Sequence, residues 1–113
     1  KLCISATQGN LDEATAEWDH RIALGVVMAS DGYPEAYKKG EIINLPIEEY
    51  DSKIFHAGTK LDADNITSDG GRVLCATALG KDVKDAQVKA YQLINKVKWD
   101  GSYFRTDIGF KGI

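Results

Sequence analysis

Two nearly continuous apolar runs constrain the fold of this chain more than any other feature of its sequence. The first spans residues 21–29 and is followed by the turn residues Ser30-Asp31-Gly32, and the second spans residues 72–79 after Asp69-Gly70-Gly71. Short apolar runs between turn residues are typical of buried strands. Both runs are far shorter than the roughly 20 residues that a membrane-spanning helix requires. The sequence therefore predicts two buried strands.

A long helix is predicted over residues 82–97. Asp82 can cap its first turn, and the apolar residues Val83, Ala90 and Ile94 fall on one stripe of the helix. Other predicted elements are a short helix over 2–8 that ends at Gly9, a helical turn that begins at Pro34, strands over 41–43 and 54–57, and strands and turns over 99–113. The resulting fold class is α+β, with short and mostly antiparallel strands over a core and one long helix packed outside.

The length and composition suit a single globular domain that covers residues 1–113. Fourteen Lys and Arg residues stand against seventeen Asp and Glu residues, so the net charge is −3, and no basic block favours nucleic acid or an anionic membrane. Hydrophobic residues make up 43% of the chain and charged residues 27%, which argues against disorder. Because the chain begins with Lys1 and shows no signal segment, we expect a piece of a longer, non-secreted protein.

The cysteines and histidines offer little chemistry by their pattern. Cys3 and Cys75 both lie among apolar residues, which favours reduced core thiols in a cytosolic protein over a secreted disulfide scaffold. His20 and His56 are not spaced as metal ligands. A nucleophilic pair of Cys75 and His56 requires the fold to bring them together, and the apolar flanks of Cys75 would keep its thiol inert. The glycine motifs that hold nucleotide phosphates are absent.

Two strings that end in a cation form the strongest candidate for a binding site. Gly58-Thr59-Lys60 and Gly70-Gly71-Arg72 each place a cation after flexible backbone at the end of a predicted strand. If the two strands pair, residues 61–69 form a hairpin loop that leaves Lys60 and Arg72 close together at its base. Two cations beside exposed backbone N–H groups suit a phosphate. The alternative is a tight turn at Gly70 and Gly71 with both cations in solvent.

A second charged pair, Arg105 and Asp107, also has two interpretations. The two residues could act at a functional site, or they could form a structural ion pair or two solvated charges. The acidic stretch over residues 11–19 is interpreted as a solvated surface, because the sequence offers no partner for it.

Five strings along the chain are specific enough to indicate a family. In order and spacing they resemble the C-terminal domain of the phosphoribosylamine–glycine ligase family, in the ATP-grasp superfamily. The resemblance runs from about Leu2 to the end of the chain. The strings are Glu17-Trp18-Asp19 leading into Gly25-Val26-Val27-Met28-Ala29; Gly32-Tyr33-Pro34 with Tyr37 and Gly40; Phe55-His56-Ala57-Gly58-Thr59; Gly70-Gly71-Arg72-Val73-Leu74 with Thr77-Ala78-Leu79-Gly80; and Phe104-Arg105-Thr106-Asp107-Ile108-Gly109.

The resemblance implies a small antiparallel, barrel-like β-sandwich with a flanking helix, and a parent ligase of purine biosynthesis. Such a ligase uses ATP and Mg²⁺ (or Mn²⁺) to phosphorylate the carboxylate of glycine. The amine of 5-phosphoribosylamine then attacks the acyl phosphate, which gives glycinamide ribonucleotide, ADP and phosphate. In the family the nucleotide and metal are held by N-terminal and ATP-grasp domains absent from this chain, so we expect these 113 residues to be inactive alone. The implied partners are the rest of the enzyme and its two small substrates, in the cytoplasm.

The resemblance also implies a role for the cation strings. In related ATP-grasp enzymes a Gly-Lys string and a later arginine turn hold the ribosyl phosphate. The matching residues here are Lys60, Gly70, Gly71 and Arg72, with Thr59 intervening before the lysine. Two other classes stay open, namely a non-catalytic interaction or scaffold module of the same fold and the corresponding domain of an ATP-dependent carboxylase.

Overall fold

The computed structural model describes all 113 residues, which form six strands and two α-helices. The strands are β1 (Ile22–Ser30), β2 (Ser52–His56), β3 (Thr59–Asp62), β4 (Asn65–Ser68), β5 (Arg72–Gly80) and β6 (Ser102–Phe104). The helices are α1 (Leu2–Gln8) and α2 (Val83–Ile94), and single 3₁₀ turns cover Leu11–Glu13 and Phe110–Gly112. Neither helix has the length and apolar character needed to cross a membrane.

Strands β1 and β5 form the centre of a four-stranded antiparallel sheet with the order β2-β5-β1-β6. The two strands pair from Ile22 opposite Gly80 to Ala29 opposite Arg72, with a register shift after Met28. Each of these strands therefore has a neighbour on both sides, and along much of each strand buried residues alternate with more exposed ones. Strands β3 and β4 form a separate two-stranded ribbon.

The hydrophobic core lies between one face of this sheet and helix α2. The sheet contributes Val26, Met28 and Leu74, and the helix contributes Ala90 and Ile94, all of them buried. Removal of these side chains from water is the main stabilising contribution to such a domain. The helix therefore covers one face of the sheet and leaves the other for different contacts.

The opposite face of the sheet is only partly covered. Val27 on β1, Phe55 on β2 and Tyr103 on β6 remain 44%, 53% and 55% exposed. Successive side chains of a strand point to opposite faces, so these residues lie on the side away from the core. The sheet thus presents one open, largely apolar face.

The predicted α+β class is confirmed, since antiparallel strands and one main helix make up the domain. The two apolar runs are β1 and β5, the stretch 54–57 corresponds to β2, and β6 lies within 99–113. The predicted short helix is α1, and it ends at Gly9, whose φ of 74° is left-handed. Asp82 caps α2 as expected, because its side chain accepts a hydrogen bond of 2.8 Å from the backbone N–H of Asp85.

Some local predictions are wrong. Helix α2 ends at Ile94 rather than at residue 97, because the backbone of Lys98 exchanges hydrogen bonds of 2.8 and 3.0 Å with Asn44 and leaves the helical path. Residues 41–43 form no strand, since Ile42 makes only an isolated bridge to Thr67. The chain around Pro34 makes irregular turns and contains no helix.

The prediction that residues 61–69 form a loop is also wrong. Lys60 and Leu61 pair with Thr67 and Ile66, so most of the stretch belongs to the β3–β4 ribbon. Only two residues connect the paired positions Asp62 and Asn65, a connection short enough for a tight hairpin. Strands β3 and β4 therefore pair with each other and add no strand to the sheet that contains β5.

The two cysteines are both free thiols, but only one lies near the core. Cys75 on β5 is half-buried, whereas Cys3 is exposed. The prediction of a core position for Cys3 is therefore wrong. The physical reason is that α1 packs mainly against the neighbouring turn Leu11–Glu13 and buries none of its residues.

Candidate functional site

Two adjoining clefts open on the exposed face of the sheet, and Val27, Tyr33 and Arg72 line both of them. The larger, of about 440 Å³, extends over β5 as far as Cys75, and we call it the β5 cleft. The smaller, of about 230 Å³, extends over β6 at Tyr103, and we call it the β6 cleft. Neither cleft has an Asp or Glu residue in its lining, although the chain carries a net charge of −3.

Arg72 lies where the two clefts meet. It is the first residue of β5, directly after the turn at Gly70 and Gly71, and its side chain is exposed. No carboxylate lies within ion-pair distance of its guanidinium, and the side chain makes no hydrogen bond within the protein. All its donors are therefore free for an anionic group, for which the planar guanidinium offers a two-pronged contact.

The turn before Arg72 is held by a buried serine. Ser30 is 3% exposed. Its backbone N–H donates to the carbonyl of Gly71 at 2.7 Å, and its hydroxyl donates to the carbonyl of Gly70 at 2.8 Å. The N–H groups of Gly70 and Gly71 donate to no acceptor within the protein. Unused N–H groups beside an arginine suit a phosphate.

Two close contacts explain why this turn consists of glycines. The ring of Tyr33 occupies the space into which a side chain at Gly71 would point. A side chain at Gly70 would meet the Cα of Gly58 at 3.3 Å, and a side chain at Gly58 would in turn meet the carbonyl oxygen of Arg72 at 2.6 Å. The turn therefore packs too closely against its neighbours to accept larger residues.

Lys60 belongs to the β3–β4 ribbon, whereas Arg72 begins β5. Lys60 is an exposed residue of β3, opposite Thr67 in the ribbon, and it lines neither the β5 cleft nor the β6 cleft. The expected arrangement of both cations at the base of one loop depended on residues 61–69 being a loop. Because that stretch pairs as a ribbon, the structure brings together Gly70, Gly71 and Arg72 but does not bring Lys60 into the same clefts.

Arg105 is the cation that shares the β6 cleft with Arg72. Its Nε and Nη2 atoms donate to the two carboxylate oxygens of Asp107 at 2.9 and 2.7 Å. These hydrogen bonds hold the pKa of the Asp107 carboxyl below its usual range and raise the pKa of the guanidinium. An arginine two residues from an aspartate indicates an ion pair, but its place beside Arg72 depends on the pairing of β6 with β1, which the sequence does not show.

The segment that carries Arg105 is attached to helix α2. The hydroxyl of Tyr91 donates to the carbonyl of Arg105 at 2.6 Å and accepts from the N–H of Ile108 at 3.1 Å. The side chain of Gln87 donates to the carbonyl of Ile108 at 2.8 Å. These contacts fix both ends of the short segment 105–108 to the helix.

The pair of Cys75 and His56, which the apolar flanks of Cys75 disfavour, is not assembled in the structure. The Nδ1 atom of His56 lies 2.9 Å from the hydroxyl of Thr59, and the thiol of Cys75 lies 3.5 Å from the hydroxyl of Thr77. No hydrogen bond joins the thiol to the imidazole. Nucleophilic chemistry by this pair is therefore not supported by the geometry.

Together, the sheet, its flanking helix and the arginine-lined clefts define a small α+β domain with a candidate site for an anion. The family model described as phosphoribosylglycinamide synthetase, C domain, matches residues 23–111, and the chain belongs to this family. The resemblance drawn from the sequence strings is thereby confirmed.

Individual relatives agree with this family. The phosphoribosylamine–glycine ligase of Salmonella typhimurium is 56% identical over 99% of this chain, and that of Escherichia coli K12 is 51% identical over all of it. The crystal structure of the phosphoribosylamine–glycine ligase of Thermotoga maritima superimposes with a TM-score of 0.79 and 34% identity over 96% of this chain. In each case this chain spans only 27% of the other protein's length.

Proposed function

We propose that this chain is the C-terminal, substrate-cleft domain of a ligase that joins glycine to 5-phosphoribosylamine. The reaction consumes ATP and gives glycinamide ribonucleotide, ADP and phosphate. We assign the binding of ATP and its Mg²⁺ or Mn²⁺ to other domains of the same ATP-grasp enzyme, because this chain spans only 27% of the length of its relatives. The two unpaired cysteines favour a cytoplasmic location.

The observation that carries this proposal is the guanidinium of Arg72, which has no ion-pair partner. It lies where two clefts meet, and neither cleft has an Asp or Glu residue in its lining. In the proposed complex it contacts the phosphate of 5-phosphoribosylamine, and the free N–H groups of Gly70 and Gly71 donate to the same group. The proposed contact of Lys60 with this phosphate keeps only the support of the sequence strings, because its side chain lines neither cleft.

Arg72, Gly70 and Gly71 would orient the substrate and would take no part in making or breaking its bonds. The phosphate is remote from the reacting amine, so binding energy gained there can be used to hold the amine in line with the acyl phosphate of glycine. Fixed donors lower the entropic cost of reaching that geometry. The domain would thus supply substrate positioning to chemistry performed by the remainder of the enzyme.

Kinetics of the full-length enzyme test this proposal. Replacement of one charge-assisted contact, Arg72→Ala, should raise the KM for 5-phosphoribosylamine about 10- to 100-fold while the KM values for ATP and glycine stay nearly constant. The matched control is Lys84→Ala, an exposed cation of α2 that forms no ion pair and lies on the other side of the sheet. Unchanged kinetics for all three substrates in Arg72→Ala would remove the phosphate assignment.

A second experiment separates this proposal from a scaffold role. The partly exposed apolar face formed by Val27, Phe55 and Tyr103 suits a domain that only contacts other domains. The full-length protein should form glycinamide ribonucleotide, and the 113-residue chain alone should not. A full-length protein without this activity would favour the scaffold.

A further inference from the structure

We propose that Arg105 is a second contact for the substrate phosphate, and that Asp107 and Tyr91 are positioning residues that hold it at the cleft. This inference rests on the proposed function, because it assigns a further residue to the same substrate site. It differs from the sequence-based assignment, which paired Arg72 with Lys60.

The composition of the β6 cleft is the first argument. Arg72 and Arg105 both line it, no carboxylate does, and the remaining surface comes from aromatic and aliphatic side chains such as Tyr33, Tyr103 and Ile108. Two guanidinium groups in a cleft whose lining contains no carboxylate favour an anion, and Arg72 has no acidic partner of its own. A phosphate attached to a sugar ring fits this combination of charge and apolar contact area.

The hydrogen bonds that Arg105 leaves unused are the second argument. Asp107 occupies Nε and Nη2, and no protein atom accepts from Nη1. The end of the guanidinium that carries Nη1 and the second hydrogen of Nη2 therefore remains free to donate to two phosphate oxygens. The pair with Asp107 orients the guanidinium without consuming its whole capacity.

Arg21, by comparison, forms an ion pair in which every nitrogen of the guanidinium is used within the protein. Arg21 contacts Asp19 through Nε and Nη2 at 3.0 and 2.7 Å, the same pattern that Arg105 forms with Asp107. The Nη1 atom of Arg21, however, donates to Asp51 at 2.6 Å, so that all three of its nitrogens are used. Arg21 lines neither cleft and precedes β1 at the opposite end of the sheet from Arg72.

The attachment of the Arg105 segment to α2 is the third argument. Tyr91 fixes the carbonyl of Arg105 itself, and both Tyr91 and Gln87 fix Ile108. A guanidinium carried on a fixed segment loses less conformational entropy when it binds a ligand than one on a mobile loop. The arrangement therefore suits a group that must meet its ligand in one geometry.

The test uses steady-state kinetics of the full-length enzyme with Arg105→Gln and Arg105→Lys. Arg105→Gln should raise the KM for 5-phosphoribosylamine about tenfold or more, with kcat and the KM for ATP changed by less than about twofold. Arg105→Lys keeps the positive charge but lacks the planar guanidinium that can contact two phosphate oxygens at once. Its KM for 5-phosphoribosylamine should therefore lie between those of the wild type and the glutamine variant. Ribose 5-phosphate should act as a competitive inhibitor of the wild type. Its inhibition should be weaker for Arg105→Lys and weakest for Arg105→Gln.

The control is Arg21→Gln, which removes an arginine with the same two-pronged aspartate contact and should leave the KM for 5-phosphoribosylamine unchanged. A normal KM in Arg105→Gln beside a raised KM in Arg72→Ala would overturn the role of Arg105 and leave the proposed function intact. Failure of both Arg105 variants to fold would assign the residue a structural role and overturn it as well. A wild-type enzyme that forms no glycinamide ribonucleotide would instead remove the proposed function.

Discussion

The ring of Tyr33 packs directly on the Cα of Gly71, in the space that any side chain at position 71 would need. The two residues are far apart in the chain, but both line the β5 cleft beside Arg72. Tyr33 also packs edge-on against Tyr37, with ring centroids 6.0 Å apart. Tyr33 in the wall of the cleft therefore packs directly against the turn that precedes β5. A substitution at Tyr33 or at Gly71 should alter the position of Arg72.

Gly71→Ala should destabilise the domain, because the added methyl group overlaps the ring of Tyr33 and one of the two must move. Overpacking of this kind costs about 1–3 kcal/mol of unfolding free energy. Urea denaturation would measure the loss. In the double variant with Tyr33→Ala, the ring is absent and the additional cost of Gly71→Ala should largely disappear. Equal costs of Gly71→Ala with and without the ring would contradict the packing relationship.

Lys60→Ala in the full-length enzyme should raise the KM for 5-phosphoribosylamine far less than Arg72→Ala, because Arg72 lines both clefts and Lys60 lines neither. An exposed cation on a neighbouring ribbon contributes at most a weak, salt-screened attraction to a phosphate. The comparison should be repeated at low and high salt, where any small effect of Lys60→Ala should fade. Equal effects of the two substitutions would mean that β3 moves toward the cleft when substrate binds.

The elements that the sequence predicts well are those with strong local signals. The two apolar runs bounded by turn residues gave β1 and β5, and Asp82 with the apolar stripe after it gave α2. In contrast, the end of α2 is set by backbone pairing between Asn44 and Lys98, which are distant in the chain. No local pattern in a sequence reports such a contact.

The candidate site could be predicted only in part for the same reason. The glycines and the arginine of the turn are adjacent in sequence, so Gly70, Gly71 and Arg72 could be recognised together. The position of Lys60 depends on how β3 pairs, and that of Arg105 depends on the pairing of β6 with β1. Residues that meet across a sheet are joined by its register, which local patterns leave open.

The acid stability of the chain should depend on the ion pair between Asp19 and Arg21. Hydrogen bonds from the side chain and backbone of Arg21 lower the pKa of the Asp19 carboxyl from its ordinary value of 3.8. As the pH falls below that value, the unfolded chain takes up the proton first, so the stability contributed by the pair is lost toward lower pH. Asp19→Asn should therefore flatten the fall in urea midpoint between about pH 5 and pH 2.

The control for this experiment is Asp12→Asn, because Asp12 is exposed and forms no ion pair. Its acid dependence should match that of the wild type. Because Asp19 and Arg21 are partly solvated, the difference between the two variants should also shrink at high ionic strength. Identical acid dependence in Asp19→Asn and the wild type would show that the pair does not contribute.

Tyr91→Phe should loosen the segment that carries Arg105 while leaving the core intact. The substitution removes one hydroxyl that both donates to the carbonyl of Arg105 and accepts from the N–H of Ile108, at a cost of about 1 kcal/mol for each hydrogen bond. Hydrogen exchange should therefore accelerate at the Ile108 amide, while amides of β1 and β5 keep their protection. Tyr50→Phe is the matched control, since Tyr50 is 98% exposed and should change neither quantity when it loses its hydroxyl. Unaltered exchange at Ile108 in Tyr91→Phe would mean that Gln87 alone fixes the segment.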